Sequence, residues 1–297
     1  MIRIAISVKG NRAQIALLEG DVVTEYAIWN FTEPGDIGDR FTARLTAKVP
    51  AMAGSFADLG TATGFLPDSA GAGLTEGAYF TACITRMAQS GKGPRIAAIN
   101  APCTEKIGCI RQSLGPLTDL ASRFPAAPIA IDDYALIAQI SKRCGEDSNS
   151  ELAARIIHQN TSFDAVLEDE LAALSEPTAQ LPSGARIHVT PTPALTAIDI
   201  DAGSLTAGNV PKQPSQLALN LALIPELTRQ IRLRNLSGAI LIDFAGMKST
   251  ARQKLLPALT SALKTDPLKP LLLGFSHLGF AEITRPRIRP PLHEYAQ

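Results

Sequence analysis

From Gly184 onward, apolar runs of strand length alternate with stretches whose apolar residues recur every three or four positions. That alternation is the strongest constraint on the fold, because a sheet with helices packed against it buries both kinds of element at once. Gly184–Val189 and Leu195–Ile200 read as strands, and Ser215–Leu233 carries Leu217, Leu221, Ile224, Thr228 and Ile231 at helical spacing. Pro225 is expected to kink that helix. The run Gly238-Ala239-Ile240-Leu241-Ile242 is apolar up to Asp243, as a central strand requires. A helix over Ser249–Lys264, with Pro257 inside it, and a strand at Leu271–Phe275 complete the pattern.

The earlier part of the chain is punctuated differently. Ile2–Val8 and Ala13–Leu18 flank Lys9-Gly10-Asn11-Arg12, which suits a hairpin, and Val22–Ile28 supplies a third strand. After Pro34-Gly35-Asp36 come β-like runs at Arg40–Val49, Gly54–Leu59, Gly64–Pro67 and Ala78–Met87, closed by Ser90-Gly91-Lys92-Gly93-Pro94. Several short strands in about 60 residues are what a small barrel of the OB type needs. Ile129–Leu174 turns to helical spacing, with Ala130, Tyr134, Ile137 and Ile140, then Leu152, Ile156 and Ile157 behind Ser150 as a helix N-cap. Residues 97–128 carry Pro102, Pro116, Pro125 and Pro128 and hold no sustained period.

Charge narrows the function classes. The 28 basic side chains balance 28 acidic ones, so the whole molecule has no pull toward polyanions or membranes. Residues 191–297 nevertheless hold 12 basic against 7 acidic side chains, which makes this the part expected to face a polyanion. Cys83, Cys103, Cys109 and Cys144 include no Cys-x-x-Cys pair, so they read as buried thiols in a reducing compartment. No apolar run is long enough to cross a bilayer, and Met1-Ile2-Arg3-Ile4 does not open a signal-peptide core. The expectation is a cytoplasmic protein without membrane partners.

Three acids carry the chemistry. Asp199 and Asp201, two apart on a strand, project from one face. If the strand ending at Asp243 is its neighbour, about 4.8 Å away, three carboxylates meet at one sheet end and form a site for a divalent ion. The alternative is that these acids end strands or cap helices. Phe56 and Phe65 would stand opposite one another across a two-residue turn at Gly60-Thr61, and both roles remain open: stacking on bases, or filling the barrel. Arg229 and Arg232 share a helix face, either for phosphates or to complement the helix dipole. Arg285, Arg287 and Arg289 alternate, as a row of phosphate-binding groups on an extended segment would, or as solvated charges. His277 is given no catalytic role.

Together these stretches resemble a known family. Leu195-Thr196-Ala197-Ile198-Asp199-Ile200-Asp201-Ala202-Gly203, Arg229 through Gly238, Ile242-Asp243-Phe244, and Gly274-Phe275-Ser276 through Glu282-Ile283-Thr284-Arg285 resemble the catalytic region of the ribonuclease E/G family. Gly38-Asp39-Arg40-Phe41 through Ser55-Phe56-Ala57-Asp58-Leu59-Gly60 and Gly64-Phe65-Leu66-Pro67 are similar to its S1-type RNA-binding barrel.

The resemblance implies a magnesium-dependent endoribonuclease that cuts single-stranded RNA and leaves a 5′-phosphate downstream, with Asp199 and Asp243 on the metal. It favours RNA contact for Phe56 and Phe65, and Arg86 and Lys92 match basic positions of the barrel. Asp201 stands where the family usually has Asn, and Gly246 where it usually has another Asp. The segment that senses an RNA 5′ end is expected to be reduced or lost. No structural zinc is expected, and any homo-oligomer is expected to lack a zinc link.

The fold expected is a multi-part α/β (α+β) chain. A ribonuclease H-like scaffold split over 1–34 and 129–181 holds an S1-type OB barrel at 35–95 and a reduced linker at 96–128. A DNase I-like catalytic domain follows at 182–297. The mechanism expected lays RNA across the barrel and this last domain, with Asp201 as a third catalytic acid. The competing expectations are a noncatalytic RNA-binding protein and an interaction module of an RNA-processing assembly.

Overall fold

The computed structural model describes residues 1–71, 73–146, 150–201, 212–244 and 246–295. The chain forms two compact units, Met1–Asp164 with Ile288–Pro290, and Ala165–Arg287 with Pro291–Gln297. Among the described residues no helix is long and apolar enough to cross a membrane.

In the first unit β1 (Ile2–Lys9), β2 (Arg12–Glu19) and β3 (Val22–Asn30) make an antiparallel meander. Lys9 pairs with Arg12, so the turn is the expected one, with Gly10 at φ 65°. The barrel follows as β4 (Arg40–Val49), β5 (Gly54–Asp58), β6 (Thr63–Pro67), β7 (Tyr79–Arg86) and β8 (Arg95–Ile99). Its order is β4-β5-β6-β8-β7, closed by pairing of β4 with both β5 and β7, and β6 runs parallel to β8. Phe41, Leu45, Leu59, Leu66, Phe80, Ile84 and Ile96 fill it. Closure depends on Gly93, where an added Cβ would fall 2.2 Å from the carbonyl oxygen of Thr63.

The barrel outruns its expected limit at residue 95. Strand β8 lies beyond it, and β9 (Gly108–Arg111) adds to β4, so residues 96–128 are not a reduced linker. Their remainder, α1 (Pro116–Arg123), sinks Leu117, Leu120 and Ala121 into the same core as Trp29. Prolines concealed this, because Pro116 occupies the first turn of the helix, where no N–H is needed.

The chain then returns to the first sheet through β10 (Ile129–Ile131), α2 (Tyr134–Glu146), α3 (Ser150–Ala154) and β11 (Ile156–His158). The sheet order is β11-β10-β1-β2-β3, with β10 parallel to both β1 and β11, so chain segments on either side of the barrel build one sheet. The helical reading of Ile129–Ile131 and Ile156–Ile157 fails. Short apolar runs do not separate a strand from a buried helix by period alone.

The second unit comprises α4 (Ala165–Ala173), β12 (Thr178–Gln180), β13 (Arg186–Pro191), β14 (Leu195–Asp201), α5 (Lys212–Leu233), β15 (Gly238–Asp243), α6 (Ser249–Arg252), α7 (Leu256–Leu263), β16 (Leu271–Phe275) and β17 (Ala281–Arg285). Residues 165–181, expected with the split scaffold, fall here, and β12 pairs with β13. The order is β12-β13-β14-β15-β17-β16, with β14 and β15 parallel. Ile198, Ile200, Ile240, Ile242 and Ile283 meet Leu223, Leu227, Ile231, Leu255 and Leu259 in one core. The helix α5 runs on through Pro225. Pro257 is not interior: a 3-10 turn at Gln253–Leu255 divides the expected helix, and Pro257 opens α7.

Candidate catalytic site and nucleic-acid interface

Strands β14 and β15 are in parallel register, with Ile198 opposite Ile242 and Asp199 opposite Asp243. The isoleucines take the core face, which turns both acids to the opposite face at the carboxyl ends of the strands. Parallel strands lie about 4.8 Å apart, so the two carboxylates are neighbours. Asp199 is exposed and Asp243 half-buried. Among the described residues no side-chain hydrogen bond or ion pair reaches either carboxylate. Like charges directly opposite repel, and among the described residues no cation pairs with either acid. A hard cation that takes one or two carboxylates and keeps its waters, as Mg²⁺ does, fits this donor set.

The three-carboxylate site does not form. Asp201 lies beyond the last β14–β15 pair, opposite Arg186 of β13, whose Nη2 donates to its carboxylate at 3.1 Å. The described residues include no group of three or more His, Cys, Asp and Glu able to hold a metal. Ala202 and Gly203 of the same motif lie outside the described residues. The sequence reading missed His188, which stands opposite Asp199 with Nδ1 3.2 Å from Thr178 Oγ1. Its period-two spacing from Arg186 was the available signal.

On the barrel, Leu59 hydrogen-bonds to Ala62 around a two-residue turn, and Phe56 pairs directly with Phe65. Their rings meet edge to face, with centroids 5.8 Å apart. Both are half-buried and lie outside the barrel core, so the core-filling role is excluded. Phe65 also pairs with Arg95, which pairs with Arg86. Phe56, Phe65, Arg95 and Arg86 thus form one row across four strands. Arg95 was missed, because the parallel contact of β6 with β8 is long-range and leaves no local pattern. Lys92 is exposed at the tip of the β7–β8 hairpin, where Gln89 and Lys92 exchange backbone hydrogen bonds.

The other arginines meet groups of the protein itself. Arg285 is 3% exposed, its Nε donating to Asp266 at 2.7 Å and its Nη1 to Asn235 at 2.7 Å. It is a core ion pair, not a phosphate contact. The expected row breaks up: Arg287 packs over Gly238, and Arg289 pairs with buried Asp36 in the first unit. Arg229 donates to Glu226 and Glu170 and braces α5 against α4. Arg232 donates to Thr265 Oγ1 at 3.3 Å. Arg234 serves the carbonyls of Leu174 and Glu176, and burial lowers its pKa against the pull of Glu176.

These features define an α/β protein with an OB barrel set into a split sheet and a separate α/β unit with an acidic strand end. The model of the Ribonuclease E/G family matches residues 117–288, and the chain belongs to that family. Ribonuclease E of Nostoc sp. is 37% identical over 120 residues, 40% of this chain and 17% of that protein. Ribonuclease G of Salmonella typhimurium is 36% identical over 164 residues, 51% of this chain and 33% of that protein. Ribonuclease E of Escherichia coli is 33% identical over 129 residues, 43% of this chain and 12% of that protein. The chain thus spans a third or less of the length of these relatives.

Proposed function

We propose that the chain is a magnesium-dependent endoribonuclease that hydrolyses phosphodiester bonds of single-stranded RNA. The observation that carries this reading is the direct pairing of Asp199 with Asp243, two carboxylates at the ends of parallel strands. Family membership and the names of the relatives support it. Asp199 and Asp243 would hold the ion, which supplies an activated water and neutralises charge that builds on the phosphate. Asp201, tied to Arg186, shapes the strand end beside them. Phe56 and Phe65 offer faces for unpaired bases, and Arg95, Arg86 and Lys92 offer charge to the backbone.

The test is incubation of the purified protein with 5′-labelled single-stranded RNA in Mg²⁺ and in EDTA. Internal cuts that require the metal are expected. A retarded band without cuts in either buffer would leave a noncatalytic RNA-binding protein in place of the enzyme.

The barrel makes its own prediction. Phe56→Ala and Phe65→Ala should each weaken RNA binding by about 1 to 3 kcal/mol, the worth of one stacked base. The rings touch, so the double variant should lose less than the summed single losses. Fluorescence anisotropy with a short labelled RNA reads both effects, and unchanged affinity in the single variants would remove the aromatics from the interface.

A further inference from the structure

We propose that Arg252 is a phosphate-binding residue that holds a backbone phosphate flanking the scissile one, an assignment that rests on the nuclease reading above. Arg252 ends α6, the short helix that follows Asp243. Its guanidinium lies in the turn between β16 and β17, against Gly279, where an added Cβ would fall 1.5 Å from Nη1 and 2.4 Å from Cζ. Gly279 has a φ of +96°, so glycine meets both the backbone and the space requirement there. Two residues on, Ala281 pairs with Ile242, which puts this turn at the same end of the sheet as Asp243.

One nitrogen of the guanidinium is an orphan. Its Nε is buried without a hydrogen-bond partner, and among the described residues no carboxylate or carbonyl pairs with it. Other arginines of the unit differ: Arg229, Arg234 and Arg285 are each bound to carboxylates or carbonyls. A buried donor left unmatched is costly, and with no carboxylate beside the guanidinium its charge is left to be met by an outside anion at its other nitrogens. The planar fork matches two oxygens of one phosphate. The position explains the polarity of the site: paired acids attract the cation, and a separate fixed guanidinium at the same strand end attracts the anionic backbone. Free phosphate presents the same chemistry, and a series of neutralised RNA phosphates separates the two sources.

The experiment uses the full chain, a labelled single-stranded RNA in EDTA, and a series of the same RNA with one neutral methylphosphonate at each position in turn. Arg252→Gln is expected to weaken binding about tenfold, as loss of a charged hydrogen-bonding group does. The salt dependence of log Kd should become shallower by about one unit. One methylphosphonate that weakens binding to the parent protein should have no effect on the variant. Arg252→Lys keeps the charge without the fork and should recover part of the affinity; it also serves as the folding control. A folded variant with the parent's salt slope and methylphosphonate profile overturns the proposal. Inorganic phosphate that binds the parent but not the variant, with the same salt slope and methylphosphonate profile for RNA in both, would mark a free-anion site and overturn the backbone assignment. An Arg252-dependent profile in a protein that makes no cuts in Mg²⁺ would sink the nuclease reading and leave the phosphate contact standing.

Discussion

Asp199→Asn and Asp243→Asn are each expected to slow RNA cleavage by about a thousandfold or more, roughly 4 kcal/mol of transition-state stabilisation. Asn preserves the shape of the side chain and removes its charge, so the loss reads the carboxylate and not the packing. Neither acid belongs to the core, where Ile198, Ile200, Ile240 and Ile242 do the packing. Folding stability should therefore hardly change, and relief of like-charge repulsion across β14 and β15 works in the variants' favour. RNA affinity in EDTA should be unchanged or slightly higher, because each change removes a negative charge beside a polyanion. Single-turnover cleavage rates and equilibrium binding separate the two effects. Parent-like rates in either variant would remove the metal assignment. Because the acids stand in register, the double variant should be little worse than either single one, as expected of groups that act as a unit.

Arg285→Ala is the second large expectation, and its effect falls on stability. The arginine is 3% exposed and bonded to Asp266, Asn235 and the carbonyl of Leu236. Its removal strands a carboxylate that is itself 3% exposed, at a cost of about 3 to 5 kcal/mol. Urea unfolding of the second unit should shift accordingly, while the salt dependence of RNA binding should not. The opposite pattern, unchanged stability with a shallower salt slope, would restore Arg285 as a phosphate contact. A change of both partners to apolar residues of similar volume should recover much of the loss, since the penalty belongs to the orphaned charge.

The two cases differ in what a sequence encodes. Asp199 follows Ile198 and Asp243 follows Ile242, and the period of two within a strand dictates that the acids leave the core face. The aromatic pair was legible for the same reason. A two-residue loop sets a hairpin's register, and Phe56 opposite Phe65 is a local consequence. Arg285 obeys the same period and lies on the core side with Ile283 and Ala281, but alternation with Arg287 and Arg289 resembled an exposed row. The partner that makes its burial tolerable, Asp266, lies 19 residues away in a loop, and nothing local announces it.

The amino-acid order alone determined four of the five strands of the barrel, the hairpin turns, the face each side chain takes within its own element, and the family to which the motifs point. Only the folded chain decided that β15 lies beside β14, that Asp201 turns to Arg186, that Arg95 joins the aromatic row, and that Arg252 Nε is buried without a partner among the described residues while Arg285 is saturated. The physical reason is range. Side-chain direction follows from neighbours one or two residues away, whereas neutralisation of a charge depends on groups brought together by sheet order.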